Sequence, residues 1–505
     1  MRWVSLGVLS IGLLLTGLDT AIITIAVPKL TRGLDANFTE LQWILDAYVL
    51  AFASLQLGAG VLGDRLGRRG VLTVGLIIFG LGSAGAAFAS TPGQLIAMRV
   101  VMGVGAALIL PTTLSLILNI FPPEEHQRAI AAWSGAAGVG IPLGPLLGGW
   151  LLSHFWWGSV FLINLPVVFI ALLAGHFLVP TSRSPSKAPF DVIGVLLSIV
   201  GLAVLLYGII EAPNNGWISI TTLGCFLLGI ALLTCFAFWE RQTEHPSLDV
   251  RIFNQRSLSI DAVTISLAMF ALYGVGYFFN QYLQFTLSYT PFQAGLRTAP
   301  VALGLMLGAP ASVPLTKRIG TRAELCLGLG VIAVAWGLMT LLQPDTGVLF
   351  VILIMLIEGV GVGLSLAPAT TSVMSALPPS RAGVGAAVNT VTRETGGALG
   401  IAVLGSILTW QFRANIIRWA EDHGVSGSTQ SAIKKSIGSA LQTAGRAEPK
   451  AGATLVHASN TAFVDAIHVT AGVATGALLV GIALCAAFYP RRSDESALSV
   501  TVRTD

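Results

Sequence analysis

The sequence predicts an all-α polytopic membrane protein in which fourteen helices cross the bilayer. The first observation behind this prediction is the composition: of 505 residues, 54% are hydrophobic and only 10% are charged, whereas a soluble protein carries about 25% charged residues. The second is a series of apolar runs, each close to the roughly 20 residues that a helix needs to span a membrane. The same composition excludes a soluble enzyme, and it excludes a disordered chain, which needs low hydrophobicity and high charge.

The predicted spans follow one another along almost the whole chain. They cover residues 4–28, 43–62, 71–90, 95–119, 129–152, 158–179, 191–211, 219–239, 258–286, 295–314, 323–342, 346–374, 383–410 and 463–489. The first run resembles a secretory signal, but it is long, contains Asp19 and Pro28 and lacks a small-residue cleavage site, so we expect it to be retained. In the polar loop 411–462, residues 431–444 have the apolar spacing of a short amphipathic helix. A solvated loop is the alternative.

Lysine and arginine in the short loops predict the orientation. The loops after spans 2, 6, 8 and 10 and the tail after span 14 carry these residues, whereas the turns after spans 3, 7 and 11 carry none. Since cytoplasmic loops are rich in Lys and Arg, we expect both termini in the cytoplasm and the loop 411–462 outside. The expected location is a bacterial-type cytoplasmic (inner) membrane.

An internal repeat relates the first part of the chain to the last. A glycine pair followed by a threonine pair occurs in spans 4 and 12, and an Arg-x-Gly turn follows spans 2 and 10. The matching residues are Gly103, Gly105, Thr112 and Thr113 with Gly361, Gly363, Thr370 and Thr371, and Arg65 and Gly67 with Arg318 and Gly320. A shift of eight spans predicts two six-helix bundles that face each other across a cavity, with spans 7 and 8 inserted between them. The corresponding segments are 1–180, 181–250, 251–490 with the loop 411–462, and a cytoplasmic tail, 491–505.

Four short motifs occur in order on spans 1, 2, 4 and 5. They are Leu18-Asp19-Thr20; Gly60, Asp64, Arg65, Gly67 and Arg68; Arg99 with Gly103; and Gly140, Gly144, Pro145 and Gly148. With these motifs, essentially the whole chain resembles the major facilitator superfamily, in particular its 14-span drug:proton antiporter branch. The resemblance implies the major facilitator fold, multidrug efflux, and functional roles for Asp19 and Arg99. The chain departs from the family pattern at Lys317, where a second copy of Asp64 would align, and in the stretch 24–27.

The motifs after span 2 and in span 5 are predicted to govern conformation. Asp64 lies among three arginines at the predicted cytoplasmic edge, where such a cluster can pair across a domain interface and hold one conformation. Gly60 and Gly67 allow close helix contact and a tight turn. The small residues of span 5 allow its backbone to approach a partner helix, and its prolines bend it.

Ionisable residues inside the spans are functional candidates, because each costs roughly 2.5–3.5 kcal/mol to insert. At about 1.5 Å per residue, Glu394 and Glu358 lie near the middle of the membrane, Asp19 lies slightly off the middle, and Arg99 and Asp46 are shallower. A carboxyl group in a low-dielectric cavity can hold a proton near neutral pH or neutralise a bound cation. We therefore predict these five residues as proton-coupling or substrate-binding groups, with Glu394 first, Asp19 second and Arg99 as its partner. A structural hydrogen bond to a neighbouring helix is the alternative.

Aromatic residues of span 9 are candidates for lining the cavity. Phe270, Tyr273 and Tyr277 share one helix face and would suit a planar lipophilic cation through cation–π contact. Ordinary helix packing is the alternative.

These observations predict a proton-coupled antiporter that exports lipophilic cationic drugs by alternating access. Its expected partners are small-molecule substrates, protons and the lipid bilayer, and we expect a monomer. The net charge of +4 indicates no nucleic-acid partner, and the four cysteines lack metal-binding spacing, so no metal or other cofactor is predicted. One alternative is a dedicated exporter of a single metabolite or lipid. Another is a non-transporting sensor or scaffold, and an enzyme is not expected.

Overall fold

The computed structural model describes residues 2–36, 38–181, 191–378 and 381–490, and the regular secondary structure in these ranges is helical. The α-helices are α1 (Arg2–Leu34), α2 (Phe38–Ser54), α3 (Gln56–Leu66), α4 (Arg68–Ala87), α5 (Pro92–Ile120), α6 (His126–His154), α7 (Ser159–Leu162), α8 (Asn164–Leu178), α9 (Val192–Asn215), α10 (Ile220–Gln242), α11 (Arg256–Gln281), α12 (Pro291–Thr298), α13 (Pro300–Ile319), α14 (Thr321–Met339), α15 (Val348–Ser375), α16 (Ala382–Leu399), α17 (Gly405–Asp422), α18 (Gly427–Ile433), α19 (Ile437–Ala444) and α20 (Pro449–Phe488). The π-helical turns Tyr282–Thr286 and Gly400–Leu404 continue α11 and α16. The all-α prediction is confirmed.

The helices occur in the order of the predicted spans. Among the described residues, twelve helical segments are long and apolar enough to cross a membrane, and the bent pair α2 and α3 makes thirteen. α6, with 29 residues, lies where the fifth span was predicted. The structure is therefore compatible with fourteen crossings.

Packing between helices repeats with the predicted shift of eight spans. In the first bundle, α5 packs against α4 and α2, and α1 packs against α6 and α8. In the second bundle, α15 packs against α14 and α13, and α11 packs against α16 and α20. Each bundle encloses its own large cluster of buried apolar side chains. The fold consists of two six-helix bundles with α9 and α10 inserted between them in sequence.

Span 2 bends by 48° between α2 and α3. Ser54, the last residue of α2, donates its hydroxyl hydrogen to the carbonyl of Leu50 (2.7 Å), and bonds of this kind to the preceding turn bend helices. α3 then packs against α16 of the second bundle.

The repeated Arg-x-Gly sequence forms the same sharp turn in both bundles. Gly67 and Gly320 have φ of 108° and 81°, a backbone region that favours glycine because it lacks a Cβ. Gly67 separates α3 from α4, and Gly320 separates α13 from α14. We call this end of the molecule, which carries Arg65, Arg251 and Arg318, the basic end.

The inserted helices α9 and α10 form a hairpin beside the bundles. The side chains of Asp191 and Ser219 cap their N-termini, as is typical of these residue types. α9 packs against α2, α3 and α16, whereas α10 packs mainly against α9. The Trp217 indole, between the two helices, donates to the Ser406 hydroxyl on α17 (2.9 Å). The hairpin therefore contacts both bundles.

The structure differs from the sequence prediction in the segment 411–462. α17 continues to Asp422 and α20 already begins at Pro449, with α18 and α19 between them. Ile433 and Ile437 are buried, as the amphipathic spacing predicts, but they belong to two short helices instead of one. α19 packs against α20, so much of this segment extends the second bundle.

Backbone contact between α13 and α15 generates a stability prediction. A Cβ on Gly359 would lie 1.9 Å from the carbonyl oxygen of Val301, and overpacking costs about 1–3 kcal/mol. We therefore expect Gly359→Ala to lower the melting temperature of the purified protein in detergent by several degrees. Gly337→Ala is the control, because a Cβ there would meet nothing within 4 Å. Equal melting temperatures for the two variants would contradict the close packing.

Candidate functional site

The ion pair of Asp19 and Arg99 lies inside the first bundle. Oδ2 of Asp19 accepts a hydrogen bond from Nη1 of Arg99 at 2.5 Å, and their side chains are 0% and 1% exposed. Nε of Arg99 also donates to the carbonyl of Ile44 on α2 (2.9 Å). A buried charge is stable only when it is paired and hydrogen-bonded, so this network joins α1, α2 and α5. The structure brings together the two residues that the sequence predicted as partners.

Residues that sequence analysis missed complete the network. Nδ2 of Asn164, the first residue of α8, donates to Asp19 (3.1 Å) and to the Ser83 hydroxyl on α4 (3.0 Å). The Arg99 guanidinium carbon lies 4.3 Å from the ring centroid of Tyr48 on α2, a cation–π geometry. The available signal was the polarity of these residues within otherwise apolar runs.

Tyr48 lies within the electrostatic range of charged groups from both bundles. Among the described residues, its buried hydroxyl has no hydrogen-bond partner, and the same is true of Oδ1 of Asn164. The charges of Asp19 and Arg99 act on this hydroxyl, and so does the charge of Glu394 from the second bundle. Because an unsatisfied buried polar group costs about 1–3 kcal/mol, these two atoms are favourable places for a polar group of a ligand or a water molecule.

Glu394 lies on α16 and faces α11. Its side chain interacts with Tyr273 and with the neighbouring Arg393. The Tyr273 ring packs against Gly397, where a Cβ would lie 2.2 Å from the ring. This glycine therefore leaves the space that Tyr273 needs to reach Glu394.

Glu358 on α15 is completely buried in the second bundle. Its Oε1 accepts a hydrogen bond from the Trp336 indole on α14 (3.4 Å), and its Oε2 has no partner within the part of the chain that the structure describes. Trp336 packs edge-on against Phe278 on α11, with 5.3 Å between ring centroids. Glu358 is thus a sparsely bonded acid among apolar side chains.

Asp46 belongs to a polar contact between α2 and the inserted helix α9. It bonds to Gln42 and lies near Glu211 of α9, and Gln42 accepts a hydrogen bond from Asn214 of α9 (3.0 Å). The structure therefore places Asp46 with Glu211, a residue that sequence analysis did not single out.

Asp64 joins the two bundles at the basic end. Its carboxylate accepts hydrogen bonds from the backbone N–H groups of Gly383 (2.9 Å) and Val384 (3.3 Å), in the first turn of α16, where free N–H groups and the helix dipole favour an anion. Nη2 of Arg68 donates to the same carboxylate at 2.8 Å. Gly60 permits this contact, because a Cβ there would lie 2.3 Å from the carbonyl oxygen of Gly383.

A second contact between the bundles lies at the symmetry-related position of the basic end. Nε2 of Gln127, on α6, donates to the Thr316 hydroxyl on α13 (2.8 Å). Thr316 in turn donates to Glu324 of α14, which is completely buried. α6 therefore meets α13 much as α16 meets α3. These three residues could not be predicted from the sequence, because none belongs to a repeated motif.

The motif of span 5 lies on one continuous helix, α6, which packs against α1 and α13. A Cβ on Gly148 would lie 2.5 Å from Ile22 of α1, so the predicted close approach occurs there. Gly144 is buried, whereas the surroundings of Gly140 and Pro145 lie outside the described residues.

Phe270, Tyr273 and Tyr277 follow one face of α11, and this face packs against the helix that begins as α16. The Phe270 carbonyl approaches Gly400, and the Tyr277 ring approaches Gly405. Helix packing, the alternative to a cavity lining, accounts for these contacts. Tyr273 additionally interacts with the side chain of Glu394.

Comparison with known sequences relates this chain to transporters. The profile of the Major Facilitator Superfamily matches residues 9–401. The chain is 32% identical to the multidrug efflux pump LfrA of Mycolicibacterium smegmatis, over 97% of this chain and 96% of that protein. It is 31% identical to the methyl viologen resistance protein SmvA of Salmonella typhimurium, over 96% of this chain and 97% of that protein. It is 30% identical to the tetracenomycin C resistance and export protein of Streptomyces glaucescens, over 97% of this chain and 92% of that protein.

Solved structures share the fold. The human organic anion transporter MFSD10 has a TM-score of 0.60 at 16% identity, covering 96% of this chain and 99% of that one. A bacterial homolog of the human lysosomal transporter Spinster has a TM-score of 0.59 at 18% identity, covering 96% and 97%.

The buried ion pair generates a prediction about stability. Removing one partner of a buried pair leaves an uncompensated charge and costs about 3–5 kcal/mol. We expect Arg99→Ala to lower stability strongly, and the double variant Asp19→Asn with Arg99→Gln to be less affected, as measured by thermal unfolding in detergent. Arg2→Ala is the control, because its pair with Glu125 is long, at 3.7 Å, and exposed. If the loss of stability in the double variant equalled the sum of the losses in Asp19→Asn and Arg99→Gln alone, the two residues would not be energetically coupled.

The Asp64 contact generates a prediction about conformation. Asp64→Asn loses charge-assisted hydrogen bonds, each contributing about 1.5–3 kcal/mol, so we expect the bundles to separate more often at the basic end. Spin labels at the exposed positions Leu66 and Ser375, in a cysteine-free background, should report a larger population at long distance. Glu125→Gln, which alters an exposed pair within the first bundle, should leave the distribution unchanged. An unaltered distribution in Asp64→Asn would argue against a locking role.

Proposed function

Because this chain belongs to the major facilitator superfamily, we propose that it is a proton-coupled antiporter that exports lipophilic cationic drugs by alternating access. The family and the fold indicate a multi-pass membrane transporter of small molecules rather than an enzyme. The relatives that cover almost the whole chain are drug efflux and resistance proteins, which supports drugs as the substrates.

The observation that carries this proposal is that charges from both bundles act on Tyr48. Arg99 of the first bundle lies over the Tyr48 ring, and the charges of Asp19 in the first bundle and Glu394 in the second act on its hydroxyl. In a two-bundle transporter, substrate binds between the bundles near the middle of the membrane. A ligand at Tyr48 would therefore contact both moving parts.

Glu394 is the proposed exchange residue. Asp19 is already paired with Arg99 inside the first bundle. Among the described residues, the groups that act on the Glu394 carboxyl are Arg393 and Tyr273. Its carboxylate can hold a proton or face a cationic substrate, but both together would leave the substrate charge uncompensated. Competition at this one group couples export of the drug to entry of the proton.

The contacts at the basic end provide the conformational part of the cycle. Access from that end requires Asp64 to leave the first turn of α16 and Gln127 to leave Thr316. We place this end, with both termini, on the cytoplasmic side of a bacterial cytoplasmic membrane, because its loops carry the lysines and arginines. The proposed unit is a monomer that acts on small molecules and not on nucleic acids.

A dedicated exporter of one metabolite is the second candidate. It is favoured by the similarity to a protein named for resistance to, and export of, a single compound, tetracenomycin C. Purified protein in liposomes, tested with a panel of unrelated dyes, distinguishes the two candidates: transport of several dyes supports drug export, and transport of only one supports the second candidate.

The role of Glu394 generates a transport prediction. In proteoliposomes that carry a pH gradient, Glu394→Gln cannot exchange a proton, so we expect efflux of a cation such as ethidium to fall at least about tenfold, the equivalent of about 1.4 kcal/mol in the barrier. Dye fluorescence follows the efflux, and an uncoupler gives the gradient-independent background.

Glu421→Gln is the matched control, because Glu421 is an exposed acid on α17, and it should transport at the wild-type rate. Wild-type efflux by Glu394→Gln would remove Glu394 from the mechanism. Efflux by the unmodified protein that is insensitive to the uncoupler would refute proton coupling itself.

A further inference from the structure

Two acids of the inserted hairpin lie side by side at the basic end. Asp191 caps α9, and Glu240 lies in the last turn of α10. Asp191 is 8% exposed and Glu240 is 2% exposed. Neither residue belongs to a motif, and neither takes part in the site around Tyr48.

One oxygen of each carboxyl group is satisfied by N–H donors. Oδ1 of Asp191 accepts from the backbone N–H of Gly194 and from the indole of Trp239, both at 2.9 Å. Oε2 of Glu240 accepts from the backbone N–H of Leu248 at 3.3 Å. These bonds fix the orientation of both carboxyl groups.

The other two oxygens point toward the same place. Oδ2 of Asp191 and Oε1 of Glu240 are both buried, and neither has a hydrogen-bond partner among the described residues. They lie 2.3 Å and 2.6 Å from the point that a Cβ on Gly194 would occupy, so they are within about 5 Å of each other. The two side chains interact directly.

Two carboxyl groups in contact inside a protein cannot both be ionised, because like charges at this distance repel strongly in a low dielectric. A proton between them resolves the conflict: one group becomes a donor, the other remains an acceptor, and both free oxygens are satisfied. We propose that Asp191 and Glu240 together form a binding site for a single proton, which holds the basic end of the inserted hairpin together.

The charged side chains near the pair, among the described residues, lie mostly at the surface. The ion pairs among the described residues include neither carboxyl group. The nearby charged side chains of the α10–α11 connection are exposed or half-buried: Arg241, Glu244, His245, Asp249 and Arg251. On α3, which packs against α9, the charged residues are Arg65, which is half-buried, and Asp64, which is bonded to Arg68 and α16.

The site has a structural consequence because α10 packs mainly against α9. The shared proton and the indole of Trp239 link the end of α10 to the start of α9, and Leu248 links both to the chain leading into α11. Loss of the proton would leave two like charges buried here. Stability that depends on a bound proton is present at low pH and is lost as the pH rises and the proton leaves.

Infrared spectroscopy of the purified protein tests this proposal without reference to transport. A carboxylic acid held between two buried groups gives a C=O band distinct from that of a carboxylate. We expect this band at neutral pH in the unmodified protein and its loss, by one acid per chain, in Glu240→Gln and in Asp191→Asn. In each variant the new amide can donate in place of the shared proton, so we expect both to fold. Glu244→Gln, an exposed acid four residues along the chain, is the matched control and should retain the band.

Thermal unfolding supplies the second measurement. The melting temperature of the unmodified protein should fall as the pH rises from mildly acidic to mildly alkaline, and Glu240→Gln should lose that part of the dependence. A band of undiminished intensity in both single variants would overturn the proposal. So would stabilisation of the unmodified protein, but not of Glu240→Gln, by sodium at constant pH, because the site would then hold a metal cation instead of a proton.

Discussion

Inside a membrane-spanning bundle, a charged or polar group can be satisfied only by other groups of the protein. This constraint accounts for the Asp19–Arg99 pair, which forms further hydrogen bonds with α2 and α8. The second bundle repeats the helix packing of the first but, among the described residues, not its buried ion pair. It contains instead the sparsely bonded acids Glu358 and Glu394. The bundles are therefore alike in packing and different in charge, which suits one bundle to a fixed role and the other to exchange.

The same constraint operates where the bundles touch. At the basic end, Asp64 is satisfied by the first turn of α16 only while the bundles are together, so its bonding depends on conformation. The second copy of the turn has Lys317 at the corresponding position, yet α13 still meets α6 through Thr316 and the buried Glu324. The symmetry of helix packing is thus retained where the sequence repeat has changed. Helix spacing depends on the size of the side chains, whereas the same spacing can be held by different hydrogen-bonding groups.

Much of the architecture could be predicted from the sequence. The lengths of the apolar runs predicted the order of the helices, and the internal repeat predicted how the two bundles correspond. Because charged residues are rare in the spans, Asp19 and Arg99 could be predicted as partners. Asn164, Ser83 and Tyr48 could not be assigned to the same network, because their spans are far apart in sequence and the rotation of each helix about its axis decides which residues meet. The segment 411–462 was predicted as a polar loop because its outer face is polar, although Ile433 and Ile437 pack inward.

Composition and spacing place this protein in a membrane, order its helices along the chain and locate Asp19, Arg99 and Glu358 inside the spans, because these properties are local to the sequence. Which buried groups are partners depends on the tertiary structure. Asp46 lies with Glu211 of an inserted helix, Asp191 with Glu240, and Glu394 with Tyr273 near Tyr48. The physical reason is that a hydrogen bond or an ion pair depends on distances of a few ångström between helices, and no periodicity within one helix contains that information.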